Sequence, residues 1–393
     1  MVITNIPNPY RLPLFNILDD RLKGMGINLK VIFAGRGYER RKWVVDMETA
    51  RFDYSFLKPS GIKHGKAGKV FFLYNGILAE IRKEKPGIII VIGFSLATLR
   101  LWALSFIKKT RFIIWSGSID TKGRKDSFFR RLYRRLLICR AYGFIAYGSR
   151  AKEYLQNLGA AAEKIQIAIN TTDTEFYRKE TEALRRRSPG DGENKPGTLL
   201  YIGHLTYKKR LDLLFSALKQ LSGKRRDFKL VIVGDGPYRQ SLEQLAAEME
   251  ISDLIGFEGF RQKPEIPGYL SQADCFLFPS EYDIWGLVLV EAMAAGLPCI
   301  SSIHSGATHD LIIEGKTGFA MDFADTVKVS DRIGWVLDHP GKTKQIGVTA
   351  SRFIREHAAL ENSVEGFIRA INPEKNGMKK IKDMEGQVDQ HGG

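Results

Sequence analysis

One carboxylate lies in a strongly apolar segment of the second half of the chain. Glu291 falls within GLVLVEAMAAGLP, a segment with helical spacing. The residues three and four positions away from it are Leu287, Val288, Ala294 and Ala295, so no helix neighbour can pair with the carboxylate. A charge inside an apolar helix needs a partner. We expect that partner to be a hydroxyl group of a bound sugar or ribose, with a Lys or Arg from elsewhere in the fold as the alternative.

A basic turn supplies charge of the opposite sign. The segment GHLTYKKR leaves a predicted strand at Gly203 and ends just before a predicted helix, with Lys208, Lys209 and Arg210 in succession. Positive charge at a helix N-terminus is unfavourable by ~0.3–1 kcal/mol per residue, and an anionic ligand such as a diphosphate removes that penalty. Glycine allows a close approach of the backbone to such a ligand. A solvated basic turn is the alternative interpretation.

Alternating strands and helices position these residues. In the first half, strands are predicted at residues 2–5, 29–34, 88–92, 111–114, 143–147 and 165–169, with a helix at 12–23. In the second half, strands are predicted at 198–202, 229–233, 274–278 and 298–302, with helices at 211–221, 238–249 and 286–295. This alternation is typical of the α/β class, with doubly wound Rossmann-like sheets. Ligands of such sheets bind beyond the carboxyl ends of the strands.

The length of 393 residues favours two domains. We predict a first Rossmann-like domain over residues 1–176 and a second over 177–372, with its last helix a candidate to pack back on the first domain. Residues 185–197 read RRRSPGDGENKPG, as expected of a linker or exposed loop. Residues 373–393 are polar and without periodicity, which predicts a disordered tail.

Composition narrows the protein class. The chain is 44% hydrophobic and 26% charged, as expected of a folded globular protein. The three cysteines form no CxxC pair and no metal-ligand spacing, so neither a disulfide framework nor a zinc site is indicated. Residues 88–107 are apolar enough to imitate a membrane span, but Gly93 and Ser95 divide them into a strand and a capped helix, which we expect to be buried in protein.

Several motifs together resemble one enzyme family. Asp283, just ahead of the predicted helix as its expected cap, and Glu291 are similar to the acid-x7-Glu motif of family 4 (group 1) retaining glycosyltransferases of the GT-B fold. GHLTYKKRLDLL, VIVGDGP and SGATHDLIIEGKTGF resemble further segments of that family, and ITNIPNPYRLPLF is a looser N-terminal match. The resemblance implies two Rossmann-like doubly wound domains facing across a cleft.

The resemblance also implies roles for individual residues. Glu291 would hold the ribose hydroxyls of a nucleotide-diphosphate sugar, Asp283 would contact the transferred hexose, and Lys209 would hold the diphosphate. Further donor-binding residues would be Gly203, His204, Lys208, Arg210, Gly234, Phe260, Arg261, Trp285, Gly286 and Leu287. On the acceptor side the candidates are Tyr10, Arg11 and Ser116.

The sequence departs from the family pattern at three places. His204 stands where the family usually has Arg or Lys, which weakens the phosphate clamp unless Lys208 or Arg210 substitutes. Asp283 stands where the family usually has Glu. The usual histidine of the first domain is missing near Ser116.

The leaving diphosphate needs its developing negative charge stabilised. Lys209 and the backbone N–H groups of Trp285, Gly286 and Leu287 could do this without a metal ion. DxD-type acid pairs are missing near these loops. We therefore predict metal-independent transfer without a cofactor, and the resemblance implies retention of the anomeric configuration.

The net charge of +16 is concentrated in one region. Residues 100–152 hold 14 lysines and arginines against two aspartates, and within them DSFFRRLYRRLLICR predicts an amphipathic helix at 126–140. Such a helix suits an anionic bilayer. A core-packed helix with a solvated basic face is the alternative. The residues of the expected membrane surface are Phe128, Phe129, Arg130, Arg131, Arg134 and Arg135.

We therefore predict a glycosyltransferase that moves a hexose from a UDP- or GDP-sugar to a lipid-linked or polysaccharide acceptor in surface-glycan biosynthesis. We expect it in the cytoplasm, peripherally bound to the inner face of the plasma membrane. A sugar-nucleotide epimerase of similar fold and an inactive basic membrane-binding scaffold are the alternatives. Nucleic acid is not an expected partner, because no RNA- or DNA-binding motif accompanies the basic charge.

Overall fold

The computed structural model describes residues 1–37, 43–58, 62–64, 70–108, 110–120, 127–187 and 196–372. It divides into two compact units, one formed by residues 1–169 with the segment from 361 onward, the other by residues 170–360. The division falls seven residues before the expected boundary at 176, because helix 174–187 packs with the second unit. The core of the predicted linker, 188–195, and the predicted tail, 373–393, lie outside the described residues.

The first unit is built on a parallel sheet. Among the described residues its strand order is β3-β2-β1-β6-β7-β8-β9, and β4 and β5 form a separate antiparallel pair. Its strands are β1 (Val2–Thr4), β2 (Lys30–Phe33), β3 (Asp53–Phe56), β4 (Ile62–His64), β5 (Val70–Phe72), β6 (Ile88–Ile92), β7 (Arg111–Ser116), β8 (Gly143–Ala146) and β9 (Ile165–Ile167). Its helices are α1 (Leu12–Lys23), α2 (Ile77–Glu84), α3 (Leu96–Ile107), α4 (Phe128–Ile138), α5 (Ser149–Leu158) and, from the end of the chain, α14 (Leu360–Ile371).

The second unit has a parallel sheet of its own. Within the described part of the chain its strand order is β12-β11-β10-β13-β14-β15. Its strands are β10 (Gly197–Ile202), β11 (Phe228–Val233), β12 (Ile255–Gly259), β13 (Cys275–Phe278), β14 (Cys299–Ser302) and β15 (Phe319–Met321). Its helices are α6 (Thr174–Arg187), α7 (Leu211–Ser222), α8 (Arg239–Glu248), α9 (Ile266–Gln272), α10 (Leu287–Ala294), α11 (Gly306–Leu311), α12 (Thr326–Asp338) and α13 (Pro340–His357).

These two sheets confirm the prediction of two Rossmann-like domains. The predicted strands and helices are observed with ends that differ by a residue or two, as expected where helix ends fray. In each sheet the chain reverses its direction of travel once, between β1 and β6 in the first unit and between β10 and β13 in the second. Ligands of open α/β sheets bind at such switch points. A ligand is therefore expected at the loops that follow these four strands.

The segment 88–107 folds as the predicted strand and helix. Gly93 has φ +63°, and the Ser95 side chain accepts a hydrogen bond from the backbone N–H of Thr98, which caps α3. The prediction that the whole segment is buried is wrong at its end, however. Phe106 is 60% exposed and Ile107 is 83% exposed.

Candidate functional site

Two predicted residues meet at the switch point of the second unit. Lys209 ends a 3₁₀ turn after β10, and Asp283 lies in the loop after β13. The Nζ atom of Lys209 donates to Oδ2 of Asp283 at 2.6 Å, with about a fifth of each side chain exposed. The same ammonium group lies 5.2 Å from the centre of the Phe278 ring. The pair is therefore held by the protein and still open to a ligand.

The Asp283 loop is fixed by a tight turn. Oδ1 of Asp283 accepts a hydrogen bond from the backbone N–H of Trp285 at 3.2 Å. The residue at the N-cap position of α10 is Gly286, with φ +101°, so the prediction that Asp283 caps this helix is wrong. A Cβ atom at Gly286 would lie 2.6 Å from the Phe278 ring. Only glycine fits there, because both its conformation and its neighbour exclude a side chain.

Glu291 has partners that the sequence did not reveal. Its carboxylate accepts a hydrogen bond from Tyr177, and Lys263 lies near enough to act on it electrostatically. Burial raises the pKa of Glu291 to about 7, although Tyr177 and Lys263 both act to lower it. Neither the spacing nor the type of Tyr177 or Lys263 marks them in the sequence, since each contact joins distant segments of the chain.

These partners are themselves held in place. Tyr177 lies on α6, which packs against α10. Lys263 lies 3.7 Å from the carboxylate of Asp173 and 4.6 Å from the centre of the Phe176 ring. Glu291 is thus neither an isolated charge nor locked in a strong ion pair. Its side chain is only partly buried on α10.

The other basic residues of this turn differ in how free they are to contact a phosphate group. Arg210 has φ +50° and is held by Asp212 at 3.0 Å and Glu281 at 3.6 Å. Lys208 is exposed. Nδ1 of His204 lies 2.6 Å from the carbonyl oxygen of Asp235. Of the two substitutes considered for the phosphate clamp, Lys208 therefore fits better than Arg210.

Glycines bring the neighbouring loops together. A Cβ atom at Gly234, which has φ +147°, would lie 1.9 Å from the carbonyl oxygen of Gly203. The loops after β10 and β11 are thus in backbone contact, which leaves no room for a side chain at this point.

Some polar atoms beside the ion pair lack a hydrogen bond. In the described part of the second unit, the Tyr201 hydroxyl, the Ser280 hydroxyl and Nε1 of Trp285 are buried with no hydrogen-bond partner. Burial, together with the negative charge of Asp283, raises the pKa of Tyr201. Buried polar atoms without partners are uncommon in folded proteins.

The donor-binding candidates Phe260 and Arg261 lie in the turn after β12. Phe260 is 36% exposed. Arg261 donates to the Tyr269 hydroxyl at 2.6 Å and pairs with Glu258 at 3.3 Å. The ring is therefore available to a ligand, whereas the guanidinium is already engaged.

The acceptor-side candidates lie in the first unit. Arg11 follows β1 at its switch point, next to Tyr10, which is partly exposed. Ser116 ends β7 and is buried, and its hydroxyl accepts a hydrogen bond from the backbone N–H of Ser118 at 3.1 Å. Arg11 and Ser116 thus stand at the carboxyl ends of the strands, where ligands bind.

Helix α4 presents its apolar residues to solvent. The alternative of a helix packed in the core is wrong for most of α4, since its buried residues are Leu137 and Ile138. Arg130, Arg131 and Arg135 are exposed as well. The exposed apolar residues of α3 and α4 form what we call the apolar surface: Phe106, Ile107, Phe128, Phe129, Leu132 and Leu136.

The described residues contain neither a metal-ligand cluster nor a membrane-spanning helix. No group of three or more His, Cys, Asp or Glu that could hold a metal ion occurs among the described residues. In the same residues, every helix is too short or too polar to cross a membrane.

Known proteins are similar to this chain in sequence and in fold. A sequence profile described as "Glycosyl transferases group 1" matches residues 185–353. Over 197 residues the chain is 27% identical to the GDP-mannose-dependent alpha-(1-6)-phosphatidylinositol monomannoside mannosyltransferase of Mycolicibacterium smegmatis, covering 48% of this chain and 50% of that protein. The chain spans about half the length of the curated relatives it matches.

Solved structures resemble nearly the whole chain. The UDP complex of Anabaena HepE superposes with a TM-score of 0.72 at 17% identity, covering 95% of this chain and 99% of that one. The apo form of the lipopolysaccharide outer core galactosyltransferase WaaB gives 0.70 at 19% identity, with 95% and 100% covered. Residues 185–353 thus match the model of the group 1 glycosyl transferases, and the chain has the GT-B fold.

Proposed function

We propose that this protein transfers a hexose from a nucleoside diphosphate sugar to an acceptor in surface-glycan biosynthesis. The observation that carries the proposal is the ion pair of Lys209 with Asp283 at the switch point of the second unit, with Glu291 on the helix that follows. A cation for the diphosphate and two carboxylates for hydroxyl groups are what such a donor requires.

Each of the three residues takes one part of the donor. Lys209 binds the diphosphate and gives up part of its contact with Asp283. Asp283 then accepts hydrogen bonds from hydroxyls of the transferred hexose. Glu291 accepts hydrogen bonds from the ribose, with Tyr177 orienting its carboxylate. The UDP complex of HepE and the GDP-mannose dependence of the mycobacterial relative support a donor of this class.

Departure of the nucleoside diphosphate develops negative charge. We propose that Lys209 and the N-terminal N–H groups of α10 stabilise that charge, so that no divalent metal is required. The N–H of Trp285 is already bonded to Asp283, which leaves Gly286 and Leu287 as the backbone donors. Retention of the anomeric configuration follows from the family resemblance. Transfer at an unchanged rate in excess EDTA is the expected result, and a loss restored by a divalent cation would refute metal independence.

The donor itself is found by thermal stabilisation. A ligand that binds only the folded state raises the melting temperature, by the equivalent of about 2.7 kcal/mol at a hundred times its Kd. We expect one UDP- or GDP-sugar in a small panel to do this in the wild type and not in Glu291→Ala. Release of the nucleoside diphosphate only with acceptor indicates transfer. An isomerised sugar without acceptor would instead indicate an epimerase, and no response to any donor would indicate a scaffold.

We also propose that the protein docks on an anionic membrane from the cytoplasmic side and uses a lipid-linked or polysaccharide acceptor there. The basis is the apolar surface together with the arginines of α4. The rings of Phe128 and Phe129 lie 5.8 Å apart and are 75% and 80% exposed. Apolar burial and the attraction of basic residues, about 1 kcal/mol each, act together on such a surface.

Flotation with anionic vesicles tests the docking. Replacing the four arginines of α4 by serine should leave the protein unbound at physiological salt, and Phe128→Ser with Phe129→Ser should do the same while keeping the charge. The arginine variant is Arg130→Ser, Arg131→Ser, Arg134→Ser and Arg135→Ser.

A matched control removes the same charge elsewhere. Helix α13 carries four exposed cations, and their loss should leave vesicle binding almost unchanged. The control variant is Lys342→Ser, Lys344→Ser, Arg352→Ser and Arg355→Ser. Equal loss of binding in both variants would show that overall charge, not α4, attracts the vesicle.

A further inference from the structure

The first unit contains a buried cation that pairs with no carboxylate among the described residues. Arg11 is only 5% exposed, and its Nη2 atom donates to the Tyr147 hydroxyl at 2.5 Å. Among the residues that the structure describes, its Nε and Nη1 atoms have no hydrogen-bond partner, and the guanidinium has no carboxylate within ion-pair distance. A buried charge is normally paired, so this arrangement needs an explanation.

Aromatic rings surround the guanidinium. Its central carbon lies 3.8 Å from the centre of the Trp115 ring and 5.7 Å from that of Tyr10. Burial acts to lower the pKa of Arg11, but the neighbouring Tyr147 and Tyr10 raise it overall, so the group stays charged. Aromatic faces attract a cation but bring no negative charge. They stabilise the Arg11 cation, and its Nε and Nη1 atoms keep no hydrogen-bond partner among the described residues.

The position of Arg11 in the fold points to a ligand. It follows β1 at the switch point of the sheet and occupies the N-cap position of α1, and its side chain makes no capping hydrogen bond. A guanidinium with N–H groups that lack protein partners is a binding group for phosphate. Tyr10 is the partly exposed ring of the three, so it is the one that can turn aside to admit an anion.

We propose that the Arg11 guanidinium binds a phosphate group, which in the reaction is carried by the acceptor. The assignment to the acceptor rests on the proposed glycosyltransferase function. The phosphate site itself does not, because it is argued from the first unit alone.

Thermal unfolding of the full chain tests the site, with sodium phosphate, glycerol 3-phosphate and glycerol as probes at matched ionic strength. We compare wild type with Arg11→Met, which keeps much of the length of the side chain without its charge. Phosphate probes should raise the melting temperature of the wild type, and Arg11→Met should bind them on the order of ten to a hundred times more weakly. Glycerol should have no effect on either protein.

Arg21→Met is the matched control. Arg21 lies on the same helix with an exposed side chain that pairs with Glu365 at 3.2 Å, so its loss should leave the phosphate response intact. Arg11→Lys keeps the positive charge but replaces the planar set of guanidinium N–H donors by a single ammonium group. It should show only part of the wild-type response to phosphate. A larger effect of glycerol 3-phosphate than of phosphate assigns the site to a substituted phosphate, and equal effects assign it to the phosphate group alone.

The outcomes separate this site from the donor site. A nucleotide sugar should stabilise Arg11→Met as much as wild type, which shows that the variant is folded and that its second unit is intact. Equal phosphate responses in wild type and Arg11→Met would overturn the proposal. Absence of any response to nucleotide sugars in the wild type would overturn the proposed function and leave the phosphate result standing.

Discussion

The two units place a cation at the same point of similar sheets but treat it differently. Arg11 follows β1 in the first unit and Lys209 follows β10 in the second, each at the switch point. Lys209 is partly exposed and paired with Asp283, whereas Arg11 is buried among aromatic rings with no carboxylate partner in the described residues.

The difference shows what each site does before a ligand arrives. In the second unit Lys209 is paired with Asp283, so under the proposed function a donor competes with that carboxylate for the cation. In the described part of the first unit no carboxylate pairs with Arg11, so an anion at the proposed phosphate site competes with none. The two proposals therefore differ in selectivity, because only the donor site requires a ligand with both an anion and hydroxyls.

The largest effect should come from removing the donor-side cation. Lys209→Ala takes away the positive charge that we propose to face the leaving diphosphate, and loss of one such group typically costs about 10²–10³ in turnover. Lys208→Ala, the exposed neighbour, should change the rate by much less. Steady-state rates at saturating donor measure both. Near-normal turnover in Lys209→Ala would place the clamp on Lys208 and remove the contrast between the two units.

The sequence was sufficient for the fold and for the location of these residues, but not for their contacts. Apolar runs and turn residues predicted most strands of both parallel sheets, because these strands carry a local pattern, but β3, β12 and β15 were not predicted. The apolar segment around Glu291 likewise identified this residue as a candidate for ligand binding. The contact of Lys209 with Asp283, and those of Glu291 with Tyr177 and Lys263, join segments far apart in the chain, and no periodicity encodes them.

The second unit should also depend on a rigid turn. Gly286→Ala adds a Cβ atom that meets the Phe278 ring, in a conformation that costs a non-glycine residue ~1–3 kcal/mol, with overpacking adding a similar amount. We expect the free energy of unfolding to fall by about 2–5 kcal/mol. Gly315→Ala is the control, since Gly315 has φ +68° with open space around it and should lose only ~1–2 kcal/mol. Chemical denaturation gives both values, and equal losses would mean that the packing at Phe278 is not tight.

The smallest predicted effect is the pH dependence of donor binding, which we expect from the protonation of Glu291 and not from Arg11. Arg11 stays charged, whereas burial places the pKa of Glu291 at about 7. Because this carboxyl group binds its proton more tightly in the folded state, the stability that it contributes is complete below its unfolded pKa and is lost as pH rises through about 7. Ribose hydroxyls bond more strongly to the ionised form, so donor binding should release a proton below that pH.

Donor affinity should therefore rise with pH by at most about tenfold per unit up to about pH 7 and then level off. Glu291→Gln should bind weakly with no such slope, and Glu248→Gln, an exposed glutamate on α8, should behave as wild type. Tyr177→Phe removes a hydrogen bond that lowers the pKa of Glu291, so its midpoint should move to higher pH. Calorimetric titration between pH 5.5 and about 8.5 gives all four curves. A slope that persists in Glu291→Gln would assign the titration to another group, and the contrast with Arg11 would then rest on the ion pair alone.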